Sequence, residues 1–229
     1  QRFVGSPGMN AICLHLAEEL EVSRSTHITK IEPDSRAKWR LADDTGQERE
    51  PFDLVVLALP PSQAAALLPG SSELRERAAA VRMRPCWAAM ATLARPLPVD
   101  YDGAFVSSGP LSWVARTSAK PGRQPTPERW VLHASADWSE ANLEAERQWV
   151  AEQLLAGFLQ AAGVEAEADS VMAHRWRFAI PAEPLPDECL FDPEAGLGVC
   201  GDWCAGPRVE GAFLSGAAMA GRILGRLGV

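Results

Sequence analysis

Residues 196–221 read GLGVCGDWCAGPRVEGAFLSGAAMAG, and no other stretch of the chain restricts its fold as much. A short apolar run, 197–200, stops at Gly201-Asp202; a Gly- and Pro-bearing turn follows, and a helical stretch opens at Glu210-Gly211-Ala212. Strand, turn and helix in that order place Asp202 at the carboxyl edge of a parallel sheet, where open α/β folds bind their ligands. There its carboxylate can accept hydrogen bonds from sugar hydroxyls. The start of the following helix offers free backbone N–H groups and a positive dipole end, which suit an anionic or electron-rich group. Ala212, Gly216 and Ala220 recur every fourth residue, a row that lets the helix lie close on a sheet. As structure alone, the same residues are a turn and a packing stripe.

Helix and strand signals alternate through the rest of the chain. Near the start Ser6 can cap and Pro7 can begin a helix, and Met9, Ile12, Cys13, Leu16 and Leu20 then share one face, which expects a sheet to pack on. HITKIE and AKWRLAD read as short strands, with Asp43-Asp44-Thr45-Gly46 as a turn. DLVVLALPP, residues 53–61, is a continuous apolar run of the kind found in a fully buried strand, and Pro60-Pro61 ends it. After a helical stretch at 72–81, CWAAMATL, GAFVSS, SWVART and RWVLHAS are strand candidates separated by turns such as KPGRQPTPE, which implies an antiparallel sheet. Asp137 and Glu140 have capping-box spacing for one long helix to Gln160, with Leu143, Val150, Leu154 and Phe158 inward and Gly163 closing it. SVMAHRWRFAIP is the next extended segment. Texture shifts near residues 61 and 194, so segments 1–60 and 194–229 are expected to form one body and 61–193 a second, inserted one.

Composition narrows the partners. A net charge of −8 lacks the basic footprint that nucleic acid or an anionic membrane demands. No apolar run approaches the roughly 20 residues of a membrane span, and the first ten residues lack a signal-peptide pattern, so a cytoplasmic protein is expected. Five cysteines at irregular spacing point to reduced thiols, and four scattered histidines give no metal-ligand cluster. No metal is expected.

The stretch GVCGDWCAGPRVEGAFLSGAAMAGRIL resembles the C-terminal FAD motif of the flavin-containing amine oxidase superfamily, also grouped as NAD(P)- and FAD-dependent oxidoreductases, and within it the renalase-like branch. FVGSPGMNAICLHLAEEL, DLVVLALPPSQAAALL and HRWRFAIP match that family in the same order. The resemblance implies a mixed α/β fold: a Rossmann-like FAD-binding body (1–60 and 194–229) carrying an inserted substrate domain of antiparallel sheet and helices (61–193). It implies FAD as cofactor, with Gly201 and Asp202 on the ribityl and pyrophosphate part and Glu210, Gly211 and Ala212 forming the helix start near the flavin ring. THITKIE resembles the strand whose backbone approaches adenine, which places Thr26, His27 and Ile28 there.

The family's opening G-x-G-x-x-G fingerprint is not in this sequence, and the Gly5-Ser6-Pro7-Gly8 cluster has the wrong spacing for one. The expectation that follows is a chain with its N-terminal part missing, on the order of 100 residues. Such a truncated chain would need that segment as its partner, bind no FAD alone, be inactive by itself and be prone to self-association at an open sheet edge.

Since the flavin itself takes the hydride, no catalytic dyad need appear, and no catalytic residue is assigned. The resemblance implies a small-molecule substrate, of the dihydronicotinamide or amine class. Trp113, His133, Arg175 and Trp176 sit on strand candidates of the middle segment and are the candidate substrate wall; core or surface filling is the plainer reading of each. Arg175 and Arg177 alternate to the side opposite Trp176. Cys204 lies near the flavin motif, but a free cysteine ordinarily fills space. Polyamine oxidase, carotenoid desaturase or protoporphyrinogen oxidase relatives would share the FAD motif and differ in the middle. The alternative from another class is a non-catalytic scaffold that keeps the architecture without the cofactor.

Overall fold

The computed structural model describes residues 3–36, 38–70, 72–204 and 206–228. The chain divides into two units, Ser23–Arg84 with Ile180–Val229, and Gln1–Val22 with Pro85–Ala179. Composition instead placed the changes of texture at 61 and 194.

In the unit built from Ser23–Arg84 and Ile180–Val229, strands β1 (Ile28–Pro33) and β2 (Trp39–Asp43) form an antiparallel hairpin. Asp34 Oδ1 closes it by accepting the N–H groups of Arg36 at 2.8 Å and Lys38 at 2.9 Å. The Asp43–Gly46 turn follows β2, with Asp43 Oδ1 accepting from Thr45 and Gln47. Strand β3 (Val55–Leu57) lies in the apolar run, and Pro61 then opens helix α2 (Pro61–Leu67), where a missing N–H costs nothing. Helix α3 (Glu73–Ala80) is capped by Ser72, which accepts from the Arg75 N–H at 3.2 Å.

The second half of this unit arrives late in the sequence. Strand β10 (Leu197–Val199) pairs in parallel with β3, Leu197 opposite Val55, and antiparallel with β9 (Leu190–Asp192) on its other side. All three residues of β10 are buried, as a central strand requires. The core beneath gathers Trp39, Val55, Leu57, Leu68, Val199 and Trp203. Helix α6 (Val209–Leu227) buries Ser215 and Met219. The Ala212/Gly216/Ala220 row is not its packing face: Ala212 and Ala220 are exposed, and the buried row is turned one residue away.

In the unit built from Gln1–Val22 and Pro85–Ala179, a five-stranded sheet has the order β5-β6-β7-β4-β8. Its strands are β4 (Met83–Leu93), β5 (Gly103–Phe105), β6 (Leu111–Arg116), β7 (Glu128–Ala134) and β8 (Ala168–Pro181), and the unit boundaries fall within β4 and β8. The expected single long helix is two. Helix α4 (Ala136–Ala141) is capped by Ser135 rather than Asp137, and α5 (Arg147–Ala162) by Glu146, whose carboxylate accepts from the Trp149 N–H at 2.8 Å. Leu143 lies in the link between them, and Gly163 ends α5 at φ +66° as expected. Val150, Leu154 and Phe158 of α5 cover one sheet face, against Trp87, Trp130 and Leu132.

Helix α1 is shorter than its spacing predicts, Ala11–Leu16, and starts neither at Ser6 nor at Pro7. None of its residues is buried, so its apolar face has no sheet against it among the described residues.

Candidate functional site

The carboxyl end of β10 opens beside that of its parallel neighbour β3. Cys200 extends the pairing, its N–H donating to the Leu57 carbonyl at 3.2 Å. The strand then breaks. The Gly201 N–H donates to Ser215 Oγ at 3.0 Å, and the Ser215 hydroxyl donates to the Glu188 carbonyl, which pins the break to α6. Trp203, fully enclosed, donates its indole N–H to the Leu59 carbonyl at 3.0 Å. Asp202 is therefore held between two anchored neighbours. Burial raises its pKa above the ordinary carboxylate value, while the N–H groups of Asp202 and Trp203 favour the charged form.

Helix α6 begins with no side-chain cap from Arg208, so its first-turn N–H groups are left to another acceptor. Glu210 and Ala212 are exposed there. Gly211 is half-buried, and a Cβ on it would lie 2.1 Å from the Gly206 carbonyl oxygen. Only glycine lets the turn and the helix start approach so closely.

Thr26, His27 and Ile28 line a cavity of about 630 Å³ together with Leu57, Ala58 and Leu59 at the end of β3. Leu59 belongs both to this wall and to the bond that holds Trp203. Two of the three strand residues are engaged elsewhere as well. The His27 carbonyl accepts from the Asp44 N–H at 2.9 Å and its imidazole lies 3.6 Å from the Asp44 carboxylate, while the Thr26 hydroxyl donates to the Arg24 carbonyl at 3.1 Å.

These residues fit a flavin dinucleotide. The cavity beside Thr26, His27 and Ile28 is of small-ligand size, though neither Asp202 nor the α6 start lines it; the Asp202 carboxylate is an acceptor for sugar hydroxyls, and the uncapped helix start suits an electron-rich ring edge. Cys204 does not fit covalent attachment: it is fully buried and its thiol is pushed up to about 12 by burial, which suppresses the thiolate. Sequence spacing marks neither Trp203 nor Ser215, because a lone indole and a mid-helix serine belong to no pattern.

The candidate substrate residues lie in the other unit. Trp113 pairs with His133 across β6 and β7, and both face away from α5, since their neighbours Val114 and Leu132 are the ones in the core. On β8, Val171 and Ala173 turn to the core, whereas Met172, Trp176 and Phe178 are exposed on the other face. Trp113, His133 and Trp176 therefore share the sheet face that α5 leaves open. Arg175 does not join them. Its guanidinium lies 5.5 Å over the Trp87 ring and donates to the Leu143 carbonyl and, at 2.7 Å, to Glu144. Burial, then Lys120, lowers the His133 pKa, and burial pushes the Cys86 thiol up to about 11.

Among the described residues no group of three His, Cys, Asp or Glu is placed to hold a metal, and no helix is long and apolar enough to cross a membrane.

A parallel strand pair whose carboxyl ends meet a Gly-Asp break and a helix start is where open α/β sheets bind their ligands. The chain belongs to the family of flavin containing amine oxidoreductases, whose pattern it matches over residues 1–224. Solved structures share the fold. A provisionally assigned protoporphyrinogen oxidase from Exiguobacterium sp. 255-15 superposes with TM-score 0.74 at 16% identity, covering 97% of this chain and 51% of that one. A putrescine oxidase redesigned in cofactor binding gives 0.68 at 15%, covering 96% and 53%, and a fatty acid isomerase from P. acnes that produces CLA gives 0.65 at 12%, covering 93% and 52%. The chain thus spans about half the length of these structures.

The match corrects part of the sequence reading. Membership rests at the level of the family and takes in residues 1–224, so the narrower reading, a renalase-like chain defined by a lost N-terminal fingerprint, does not hold. The mixed α/β fold is carried by the chain as it stands. On that match the fold is assigned to residues 1–224 themselves, not through a missing N-terminal part, a truncated chain or a missing partner segment.

Proposed function

We propose that this chain works as an FAD-dependent oxidoreductase that oxidises a small substrate of the amine or dihydronicotinamide class, in a cytoplasmic setting that keeps its five free cysteines reduced. Bound FAD would supply the hydride acceptor. The chain's own residues bind and orient. Asp202 accepts from the ribityl hydroxyls and Gly201 lets the chain turn beside them; the α6 start at Glu210, Gly211 and Ala212 offers N–H groups to the ring edge; the Thr26, His27 and Ile28 backbone borders the adenine end. Trp113, His133 and Trp176 form the substrate wall on the open sheet face, with His133 neutral near pH 7 and so adding no positive charge there.

The observation that carries this reading is Asp202. It is a half-buried carboxylate at the carboxyl end of a parallel strand pair, held there by the two hydrogen bonds of its neighbours Gly201 and Trp203. The test is FAD titration into the chain and its Asp202→Ala variant, followed by flavin absorbance. A hydrogen bond to a charged group is worth about 1.5–3 kcal/mol, so affinity should fall roughly 10–150-fold. Equal affinity in both proteins removes Asp202 from the site, and no FAD binding by either favours the non-catalytic scaffold.

A further inference from the structure

Within the unit that carries the open sheet face, β5, β6 and the turn after β6 border an open cavity of about 520 Å³. Part of its wall is aromatic. Phe105 and Trp113 pair with ring centroids 4.9 Å apart, and the indole lies so close to β5 that a Cβ on Gly103 would come within 2.9 Å of it. Three charged groups line the same space: Asp102, Arg116 and Lys120.

Two of the three are committed to each other. The Arg116 guanidinium donates to the carbonyls of Val99 at 3.0 Å and Tyr101 at 3.2 Å, pairs with Asp102 at 3.5 Å and Glu128 at 3.7 Å, and stacks 5.1 Å over Trp130. Lys120 is different. No carboxylate lies within ion-pair distance of it among the described residues: Asp102, which lines the same space, pairs with Arg116, and the charge that acts on Lys120 is that of Arg123. Burial disfavours its ammonium first, and Arg123 adds to that. A half-buried ammonium beside Arg123, with no ion-pair partner among the described residues and two aromatic rings lining the same space, favours an anionic guest.

We propose that this cavity binds a small aromatic carboxylate, with Lys120 as its charge partner and the Phe105–Trp113 pair as its ring wall. The inference rests on the proposed oxidoreductase function and, of the two substrate classes named there, excludes the protonated amine. A planar anion fits, and an ammonium is repelled by Lys120 and Arg123. Trp113 lines the cavity and also belongs to the proposed substrate wall.

The test is calorimetric titration of benzoate and of benzylamine into the 229-residue chain without flavin. Benzoate should bind at one site and benzylamine at least about tenfold more weakly, as expected where the half-buried Lys120 charge sets the sign. Lys120→Met, which keeps the apolar stem, should weaken benzoate about tenfold or more, and Lys120→Arg should restore most of the loss. Benzylamine binding as tightly as benzoate overturns the proposal, as does unchanged benzoate affinity in Lys120→Met. Should that variant fail to fold, the benzoate preference of the unaltered chain decides. Because flavin is left out, benzoate binding that depends on Lys120 in a chain that takes no FAD sinks the oxidoreductase reading and keeps the anion site. FAD binding without benzoate binding does the reverse.

Discussion

Ser215 satisfies two backbone groups that strand and helix leave over. Its hydroxyl accepts from Gly201 and donates to Glu188 in a 1% exposed position, so Ser215→Ala leaves an N–H and a carbonyl unpaired inside. Each such group costs about 1–3 kcal/mol. The melting midpoint should fall by about 2–4 °C per kcal/mol lost for a chain of this size, and an unchanged midpoint would mean that water replaces the hydroxyl. His133 carries a different signature. Its folded pKa is depressed from the ordinary 6.5, by burial first and Lys120 second, so the unfolded chain takes up its proton at a higher pH than the folded one. Stability from this group is whole above 6.5 and is lost as pH falls through the lower folded value. The carboxyl of Asp43, lowered chiefly by the Thr45 hydroxyl bond, acts in a separate window that lies below 3.8. Urea unfolding at a series of pH values should therefore show a decline starting near 6.5 that His133→Gln removes and a second, more acid decline that it leaves.

Secondary elements were legible where periodicity or a cap was strong. The β3 and β10 runs, the antiparallel middle strands and the stop at Gly163 follow from apolar continuity, alternation and a left-handed C′ glycine. What sequence could not show is which of two competing signals wins. Asp137 reads as the cap, but the chain caps α4 with Ser135 and restarts at Glu146, leaving a break that periodicity smooths over. The small residues of α6 and its buried row differ by one residue, a rotation of 100° that only the Met219 and Ser215 contacts settle. The site divides likewise. Asp202 and the start of α6 were visible as a motif, whereas Lys120 was hidden in the turn KPGRQPTPE because its meaning comes from an absent counter-ion. For α5 itself, Gly163→Ala forces a Cβ into φ +66° and should cost about 1–2 kcal/mol, read as a lower urea midpoint with the slope unchanged. No loss would show that the helix end can refold around the methyl.

At the scale of the whole chain, the two units hold separate cores. Trp39, Leu57 and Trp203 belong to one, and Trp87, Trp130 and Phe158 to the other. Each unit is assembled from two stretches distant in sequence, so its contacts close long loops, and that entropy is recovered only when the unit's own core forms. Cores that share no side chain need not melt together, and two-state behaviour commonly fails in chains of more than one folding unit. Scanning calorimetry should then show a measured heat larger than the van't Hoff heat. Leu154→Ala, which empties a fully buried site under the five-stranded sheet at a cost of about 2–5 kcal/mol, should lower one component. FAD should raise the other, because a ligand stabilises only the unit whose folded form binds it. Both treatments moving a single transition by the whole amount would show that the chain melts as one, and the cofactor and substrate sites would then share one stability.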